Sequence, residues 1–486
     1  EWQDNILKIY NKKRYVEIPP GRRRYAPLTI NEILNTPIQG CIHGESKIYI
    51  KNDGYTSIKD CKQRERIEIW DGVKFVKAFC IRSGKKQKVI INFQNGQKFV
   101  CSPEHKLLYI NTLGSAIWKT PSELYGKNYK NIRIRLTNPI EQNTIKPELP
   151  DFKDDRILKR KATNKKILNI DNISPFDLGV ILGRLVTDGT INYKRGSISW
   201  IVAEHEKNIL DSLIQKISLI GNPSIKEIKR KNRNQIIWKI HLYSFDFINR
   251  LQNIRNEIPK WIFNNEACLS GFLKGIFDGD GTVNKDNIVL CFGKNFPKLS
   301  EQMSCDIQQA LLLFGIQSRL NKMRGRTNLL IRKKDCSSFA KKIGFLNKVK
   351  QDKIALILPQ KENNIIGKTE TIESIIFTDE YVDMYDIVNS ESGQFMSDGF
   401  IVHNSAASIV SKVMNKIRKM GYWIFLNCHD ELVVCAKEKD AKYVAEEMQT
   451  VMETKQYDFM GDTPLVVEGS IGFNWFHTFP VKDIFE

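Results

Sequence analysis

GQFMSDGFIVHN, residues 393–404, followed directly by Ser405, is the stretch on which the organisation of the chain turns. It closes on His403-Asn404-Ser405, placing a base, a side-chain amide and a hydroxyl in consecutive positions. An asparagine can cyclise through its own amide and cut the bond that follows it, and a serine just beyond can accept an acyl group. Such chemistry needs a second nucleophile upstream, and Cys41, directly after Gly40, supplies one. Its thiol can attack the Gly40 carbonyl and convert the amide to a thioester. The Ser405 hydroxyl can then take the acyl group as a branched ester, and cyclisation of Asn404 frees residues 41–404. The ester left behind rearranges to a peptide bond between Gly40 and Ser405. His105, in Ser102-Pro103-Glu104-His105, and His403 are the residue types suited to the proton transfers.

Outward from these junctions the character of the chain changes in step. Between 41 and about 140, short runs such as KIYI (47–50), KVIINF (88–93) and KFVCS (98–102) alternate with Gly, Asn and Asp turns, which predicts an all-β unit. From about 150 the chain is Lys- and Asn-rich, with helical and strand-like segments interleaved, and strand character returns at 371–404. Joining the flanks gives LNTPIQG-SAASIVSKVMNKI, one helical stripe with only Pro37 out of place. The expected division is 1–40, 41–150, 151–365, 366–404 and 405–486, with 1–40 and 405–486 forming two pieces of one domain and 41–150 and 366–404 two pieces of another.

With 486 residues the chain is long enough for several cores, and 75 Lys+Arg against 55 Asp+Glu gives +20, a balance suited to nucleic acid. The ten cysteines form no CxxC pair and no Cys/His zinc spacing, so reduced thiols in a cytoplasmic or cytosol-like compartment are expected. No apolar run reaches membrane-span length and no signal-peptide pattern opens the chain, so a soluble, non-secreted monomer is expected. An opening Glu1 in place of Met suggests a fragment of a longer protein.

The ordering Cys41, His105, Tyr385-Asp386, His403-Asn404, Ser405 resembles the splicing blocks of inteins, relatives of hedgehog autoprocessing domains. The resemblance implies a horseshoe-shaped all-β splicing fold that needs no cofactor. By it, Ser102 and His105 match the Thr-x-x-His block that activates the first scissile bond, and Asp386 matches an acid coordinating the first steps. Gly393 departs from the pattern, standing where such inteins usually carry a histidine that assists asparagine cyclisation.

Two segments within the insert are alike: ILGRLVTDG (181–189) and LKGIFDGDG (273–281). Each is an apolar helix face with a small residue, Gly183 or Gly275, ending in an acid followed by Gly189 or Gly281. Packed side by side, these helices would bring Asp188 and Asp280 together as a divalent-cation site for phosphodiester cleavage. The pair resembles the motifs of LAGLIDADG homing endonucleases, which implies two αββαββα halves, Mg2+ on Asp188 and Asp280, and a saddle for double-stranded DNA. Lys229, Arg230, Arg233, Lys322, Arg324 and Arg326 are the candidate DNA-contact residues, and Lys294 or Lys322 the candidate catalytic lysine. Val186 replaces the other acid of the first motif, and IQQALLLFGIQSRL (307–320) is expected to supply helices flanking the site.

The flanks carry a resemblance of their own. GRRRYAP (21–27), NTPIQG-SAAS and WIFLNCHDELVVCA (423–436) resemble the C-terminal palm of family A DNA polymerases, an α/β fold. The resemblance implies that Asp430 binds catalytic Mg2+ at a hairpin tip with Glu431 supporting it, and that Asn35 and Gln39 contact primer–template DNA. Asn31 replaces the usual Arg, and the partner catalytic Asp and the nucleotide-binding helix for dNTPs are expected upstream, so this chain alone is not expected to polymerise DNA. Three other readings stand beside this one: a splicing domain carrying a nuclease that only binds DNA, a hedgehog-like autoprocessor, and a non-splicing polymerase with a large insertion.

Overall fold

The β-branched runs pair as their alternation predicts. In this computed structural model the described residues are 40–139 except 52, 63 and 64; 170–292 except 231–234 and 252; 302–357 except 324 and 325; 368–404 except 389 and 391; and 413–472 except 415, 429, 430, 455–466 and 468, with 478–480. Strands β1 (Ile42–His43), β2 (Lys47–Ile50), β3 (Gly54–Ser57), β4 (Arg66–Trp70), β5 (Phe75–Phe93), β6 (Lys98–Cys101), β7 (Leu107–Ile110), β8 (Ala116–Lys119) and β9 (Arg133–Arg135) come from the segment after Cys41. They share one twelve-stranded sheet with three strands from the far end of the insert, Thr369–Val388, Gln394–Ser397 and Phe400–His403.

The long β5 is the spine of that sheet. Along it Val76, Ala78 and Cys80, then Val89, Ile91 and Phe93, fall at every second position and are all buried, the period-two signature of one face turned to a core. It pairs antiparallel with Thr369–Val388, where Ile375 lies opposite Ile91 and Ile387 opposite Cys80. Gln394–Ser397 pairs with both Phe400–His403 and β2, so the sheet closes back on itself.

The insert between repeats one pattern twice. The first half is helix Pro175–Asp188, β10 (Gly189–Asn192), β11 (Ser197–Ala203), helix Leu210–Ile220, β12 (Ser224–Arg230), β13 (Gln235–Tyr243) and helix Phe245–Arg250. The second is helix Glu266–Asp280, β14 (Gly281–Val283), β15 (Asn287–Phe292), helix Gln302–Leu313, β16 (Ser318–Met323), β17 (Arg326–Arg332) and helix Lys333–Lys342. These are the two αββαββα halves expected, with sheets ordered β10-β11-β13-β12 and β14-β15-β17-β16. Numbering continues through β18 (Thr369–Val388), β19 (Gln394–Ser397) and β20 (Phe400–His403).

The stretch 307–320 corrects an expectation. Only its first part is helical, because Gly315 turns the chain at φ +70° into β16, and residues Gln309 and Leu312 of the helix face the twelve-stranded sheet. The expected hairpin near 430 is present as β21 (Ile424–Cys428) and β22 (Glu431–Val434), with Cys428 opposite Glu431. The expected helix from Ser405 lies largely outside the described residues, but Val413, Met414 and Ile417 are buried with Ile424 and Leu432.

Candidate functional site

Cys41 and Ser102 are joined by a reciprocal pair of hydrogen bonds. The Cys41 N–H donates to Ser102 Oγ at 3.0 Å. The Ser102 N–H donates to the Cys41 carbonyl at 2.9 Å. β1 runs between β6 and β18, with Ile42 opposite both Cys101 and Tyr385, so Cys41 is fixed at a strand end and fully buried. Burial, then the negative charge of Asp386, pushes its thiol up to about 12, against smaller opposing pulls from Lys86 and Ser83. Asp386 is itself fully buried, next to Tyr385 on β18.

Gly40 sits against His105. A Cβ on Gly40 would lie 3.1 Å from the His105 Cα and 3.3 Å from its Nδ1. The His105 ring lies between Phe99 and Phe395, with centroids 5.9 and 6.4 Å away. Burial in this cage lowers its pKa to about 3; the Gly40 backbone draws it up and nearby His403 pushes it further down. Neither ring nitrogen meets hydrogen-bond geometry among the described residues, so the Gly40 contact is close but loose. His105 is therefore a neutral imidazole facing the Gly40–Cys41 peptide.

His403 and Asn404 enter the same neighbourhood through β20. The His403 N–H donates to the Lys106 carbonyl at 3.0 Å, one residue past His105. Its ring meets Trp118 edge-on at 4.8 Å, and burial lowers its pKa to about 4. Asn404 is fully buried and its N–H donates to the Gly393 carbonyl at 3.1 Å. Gly393 has φ +71°, a left-handed conformation disfavoured for a side chain as bulky as histidine. Residue 393 thus meets Asn404 through its backbone carbonyl. Ser405 lies outside the described residues.

The second site lies where helices Pro175–Asp188 and Glu266–Asp280 cross. A Cβ on Gly183 would lie 2.2 Å from the Phe272 carbonyl oxygen, and one on Gly275 2.4 Å from that of Val180. Gly179 and Gly271, unread in the sequence, are equally tight, at 2.1 Å from the Cys268 oxygen and 2.0 Å from that of Phe176. Only glycine allows the two backbones this approach. The crossing delivers Asp188 and Asp280 to adjacent helix ends: a Cβ on Gly279 would lie 2.8 Å from Asp188 Oδ2. Burial first, then the Asp188 charge, raises the Asp280 carboxyl to about 6, and burial also raises Asp188.

Beneath this pair is a buried ion network that the sequence did not disclose. Arg184, fully buried, contacts Glu206 through both terminal nitrogens at 3.2 and 3.1 Å, Asp188 Oδ2 at 2.9 Å and Asp278 Oδ2 at 3.7 Å. Asp278 Oδ1 accepts the Leu346 and Asn347 N–H groups at 3.0 and 2.7 Å. Lys350 Nζ donates to the Asp278 and Gly279 carbonyls at 2.5 and 3.5 Å, and Arg255 donates to those of Leu185 and Gly189 at 3.3 and 2.5 Å. A cation thus caps the C-terminal end of each motif helix, where the helix dipole favours positive charge. Lys350 is the lysine that adjoins the carboxylates. Lys322 is exposed on β16 and Lys294 lies outside the described residues.

Asp188 and Asp280 fit a divalent cation. Asp188 Oδ2 and Asp278 Oδ2 are buried without a well-formed hydrogen bond among the described residues, and the paired carboxylates repel. No group of three His, Cys, Asp or Glu converges among those residues. Two carboxylates suit Mg2+, which keeps several waters and takes further ligands from phosphate. Of the basic candidates, Lys229 is exposed on β12; Arg230 and Arg326 lie in β12 and β17 without described side chains; Arg233 and Arg324 lie outside the described residues. Asn35, Gln39 and Asp430 lie outside them as well, and Glu431 opens β22 without a described side chain.

Residues 267–344 match the family of LAGLIDADG-like domains, so the insert contains such a domain. Curated relatives are spread over several enzymes. The chain is 26% identical over 258 residues to the replication factor C small subunit of Methanocaldococcus jannaschii, covering 48% of this chain and 13% of that protein. It is 25% identical over 350 residues to the replicative DNA helicase DnaB of Synechocystis sp., covering 64% and 35%. To a DNA polymerase of Thermococcus hydrothermalis it is 22% identical over 450 residues, covering 82% and 26%. The chain therefore spans only 13–35% of the length of these relatives. Among solved structures, the homing endonuclease I-WcaI bound to its DNA recognition sequence aligns at 18% identity and TM-score 0.29, covering 37% of this chain and 87% of that one. Mesophilic variants of the homing endonuclease I-DmoI align at 15% and 0.27, covering 35% and 89%.

Proposed function

We propose that residues 41–404 are an intein that excises itself and joins Gly40 to Ser405, carrying within it a nuclease that cuts double-stranded DNA at a defined site. The observation that carries this reading is the convergence of both junctions on one buried pocket. Cys41 hydrogen-bonds Ser102, Gly40 abuts His105, and His403 and Asn404 reach the same region along β20. The relatives support it: a replicative DNA helicase, a replication factor C small subunit and a DNA polymerase are each matched over a minor share of their length, as expected for a portable insert.

With a pKa near 12, Cys41 attacks as a thiol that loses its proton during the step rather than before it. The buried Asp386, whose charge Cys41 senses, is the acceptor we assign. As the Sγ–carbonyl bond forms and the C–N bond breaks, the Cys41 nitrogen held by Ser102 takes the proton back from Asp386 and leaves as an amine, with His105 beside the reacting peptide. Transfer to the Ser405 hydroxyl follows. The Asn404 side-chain nitrogen then attacks its own carbonyl, expelling the Ser405 amine, with His403 handling the proton.

At the nuclease site, Asp188 and Asp280 would hold Mg2+, which when bound activates water and stabilises the leaving oxygen. Lys229 and Lys322 are assigned to the DNA backbone. One contact favours a second reading in which the domain only binds DNA: Arg184 already holds Asp188 Oδ2 at 2.9 Å. The host assignment, a family A polymerase palm with Asp430 and Glu431 on the β21–β22 hairpin, rests on the flank motifs and that hairpin. Restored activity then depends on excision.

Separating the junctions tests the reading. Asn404→Ala should still release residues 1–40 on hydroxylamine treatment, and Cys41→Ala should only release residues 405–486. Loss of both cleavages in either single variant contradicts the assignment.

A further inference from the structure

We propose that the nuclease helix Gln302–Leu313 is a positioning element for the second splice junction, with Gln309 and Leu312 as its positioning residues; the proposal rests on the splicing reading above. His403 and Asn404 close β20, and β20 is tied to β19 by a two-residue turn, Asp398-Gly399, both at positive φ (+50° and +86°). Such turns fix the register of a hairpin. Here the turn is held from two sides.

On the splicing side, the Lys47 N–H donates to Asp398 Oδ1 at 2.9 Å, the Asp398 N–H returns to the Lys47 carbonyl at 2.8 Å, and the Thr137 N–H donates to the Gly399 carbonyl at 2.9 Å. On the nuclease side, Gln309 Nε2 donates to the Asp398 carbonyl at 3.0 Å. A Cβ on Gly399 would lie 2.4 Å from Leu312 Cδ2. Leu312 packs in the splicing core with Phe395, Phe400 and Val402, whereas Ile307, Ala310, Leu311 and Leu313 of the same helix pack in the nuclease core. The hairpin alternates likewise: Met396 and Ile401 join the apolar cluster that runs on into the nuclease.

A fixed turn that ends five residues before Asn404 sets how the asparagine meets its own carbonyl. Cyclisation demands close alignment, and a misplacement of about 1 Å can lower such a rate by about a hundredfold. The N-terminal junction lies on β1 between β6 and β18 and takes part in none of these hydrogen bonds to the Asp398-Gly399 turn, although Phe395, beside His105, is common to both surroundings. Removing the helix's grip should therefore slow the second cleavage and spare the first.

The test uses the full chain with Gln309→Leu, which removes the donor but keeps the bulk, and Leu312→Ala, with Leu312→Met as the conservative rescue. Two rates are followed in each sample: hydroxylamine release of residues 1–40, and release of residues 405–486. The expected result is a C-terminal rate lowered about tenfold or more in Gln309→Leu and Leu312→Ala, N-terminal release within about twofold of wild type, and recovery in Leu312→Met. Equal C-terminal rates in wild type and variants overturn the positioning role while leaving the splicing reading intact. Parallel loss at both junctions in Gln309→Leu and Leu312→Ala also overturns it, as a general loss of folding. A wild-type chain inert at both ends overturns the splicing reading, and this proposal with it.

Discussion

Replacing Gly183 by alanine probes the crossing that sets the nuclease carboxylates. The new methyl would start 2.2 Å from the Phe272 carbonyl oxygen and 3.0 Å from the Gly275 Cα. Ordinary contact begins near 3.4 Å, so the helices must part by about 1 Å, because a close-packed interior offers no other room. Overpacking of this kind costs about 1–3 kcal/mol. Alanine returns about 1 kcal/mol through its better helix propensity, leaving a net loss of roughly 0–2 kcal/mol. The functional effect should be larger: parting the helices displaces Asp188 from Asp280, and about 1 Å at a reacting centre can remove about a hundredfold in rate. Urea unfolding followed by circular dichroism measures the first quantity, and Mg2+-dependent nicking of a matched duplex the second. A variant stabilised relative to wild type, or one that nicks at the wild-type rate, would refute the account of the crossing.

Two further outcomes follow from the buried charges. Arg184→Met strands Glu206 and Asp278 without their counter-charge and should cost about 3–5 kcal/mol in urea unfolding, whereas Arg184→Met with Glu206→Met should recover most of it. Because the Cys41 thiol is held near 12 and its proton is assigned to Asp386, hydroxylamine cleavage in an Asn404→Ala background should stay nearly flat from pH 7 to 9. Attack by a pre-formed thiolate would instead accelerate about tenfold per pH unit below the thiol pKa, so a rise of that steepness would remove Asp386 from the role.

The legible features were those with a local signature. The twin apolar helices ending in Asp-Gly announced the carboxylate pair, and alternating β runs announced strands on both sides of the insert. Gly183 and Gly275 were readable as small residues in a motif; Gly179 and Gly271, one turn earlier, became meaningful only when the partner backbone was seen 2.1 and 2.0 Å from their absent Cβ atoms. The Arg184 network was not legible, because Glu206 and Asp278 reach Arg184 through tertiary packing and no spacing rule links them. Lys350 was passed over for Lys294 and Lys322 for the same reason: it arrives from a helix after the second half, Lys348–Ala355. At Gly393 the sequence signalled a missing side chain, whereas the φ of +71° and the hydrogen bond from Asn404 show a backbone role. The seating of Leu312 in the core of the twelve-stranded sheet was hidden because its apolar neighbours made the whole helix read as interior of the αββαββα unit.

The most direct test of the central claim is tandem mass spectrometry of the wild-type chain after incubation in reducing buffer, searching its digest for a peptide that crosses from Gly40 into Ser405. The account predicts the fused sequence TPIQGSAASIVSK together with a free 41–404 fragment ending in a cyclised Asn404, both absent from a Cys41→Ala, Asn404→Ala double variant. A digest holding only the intact Gly40–Cys41 and Asn404–Ser405 junctions would contradict it.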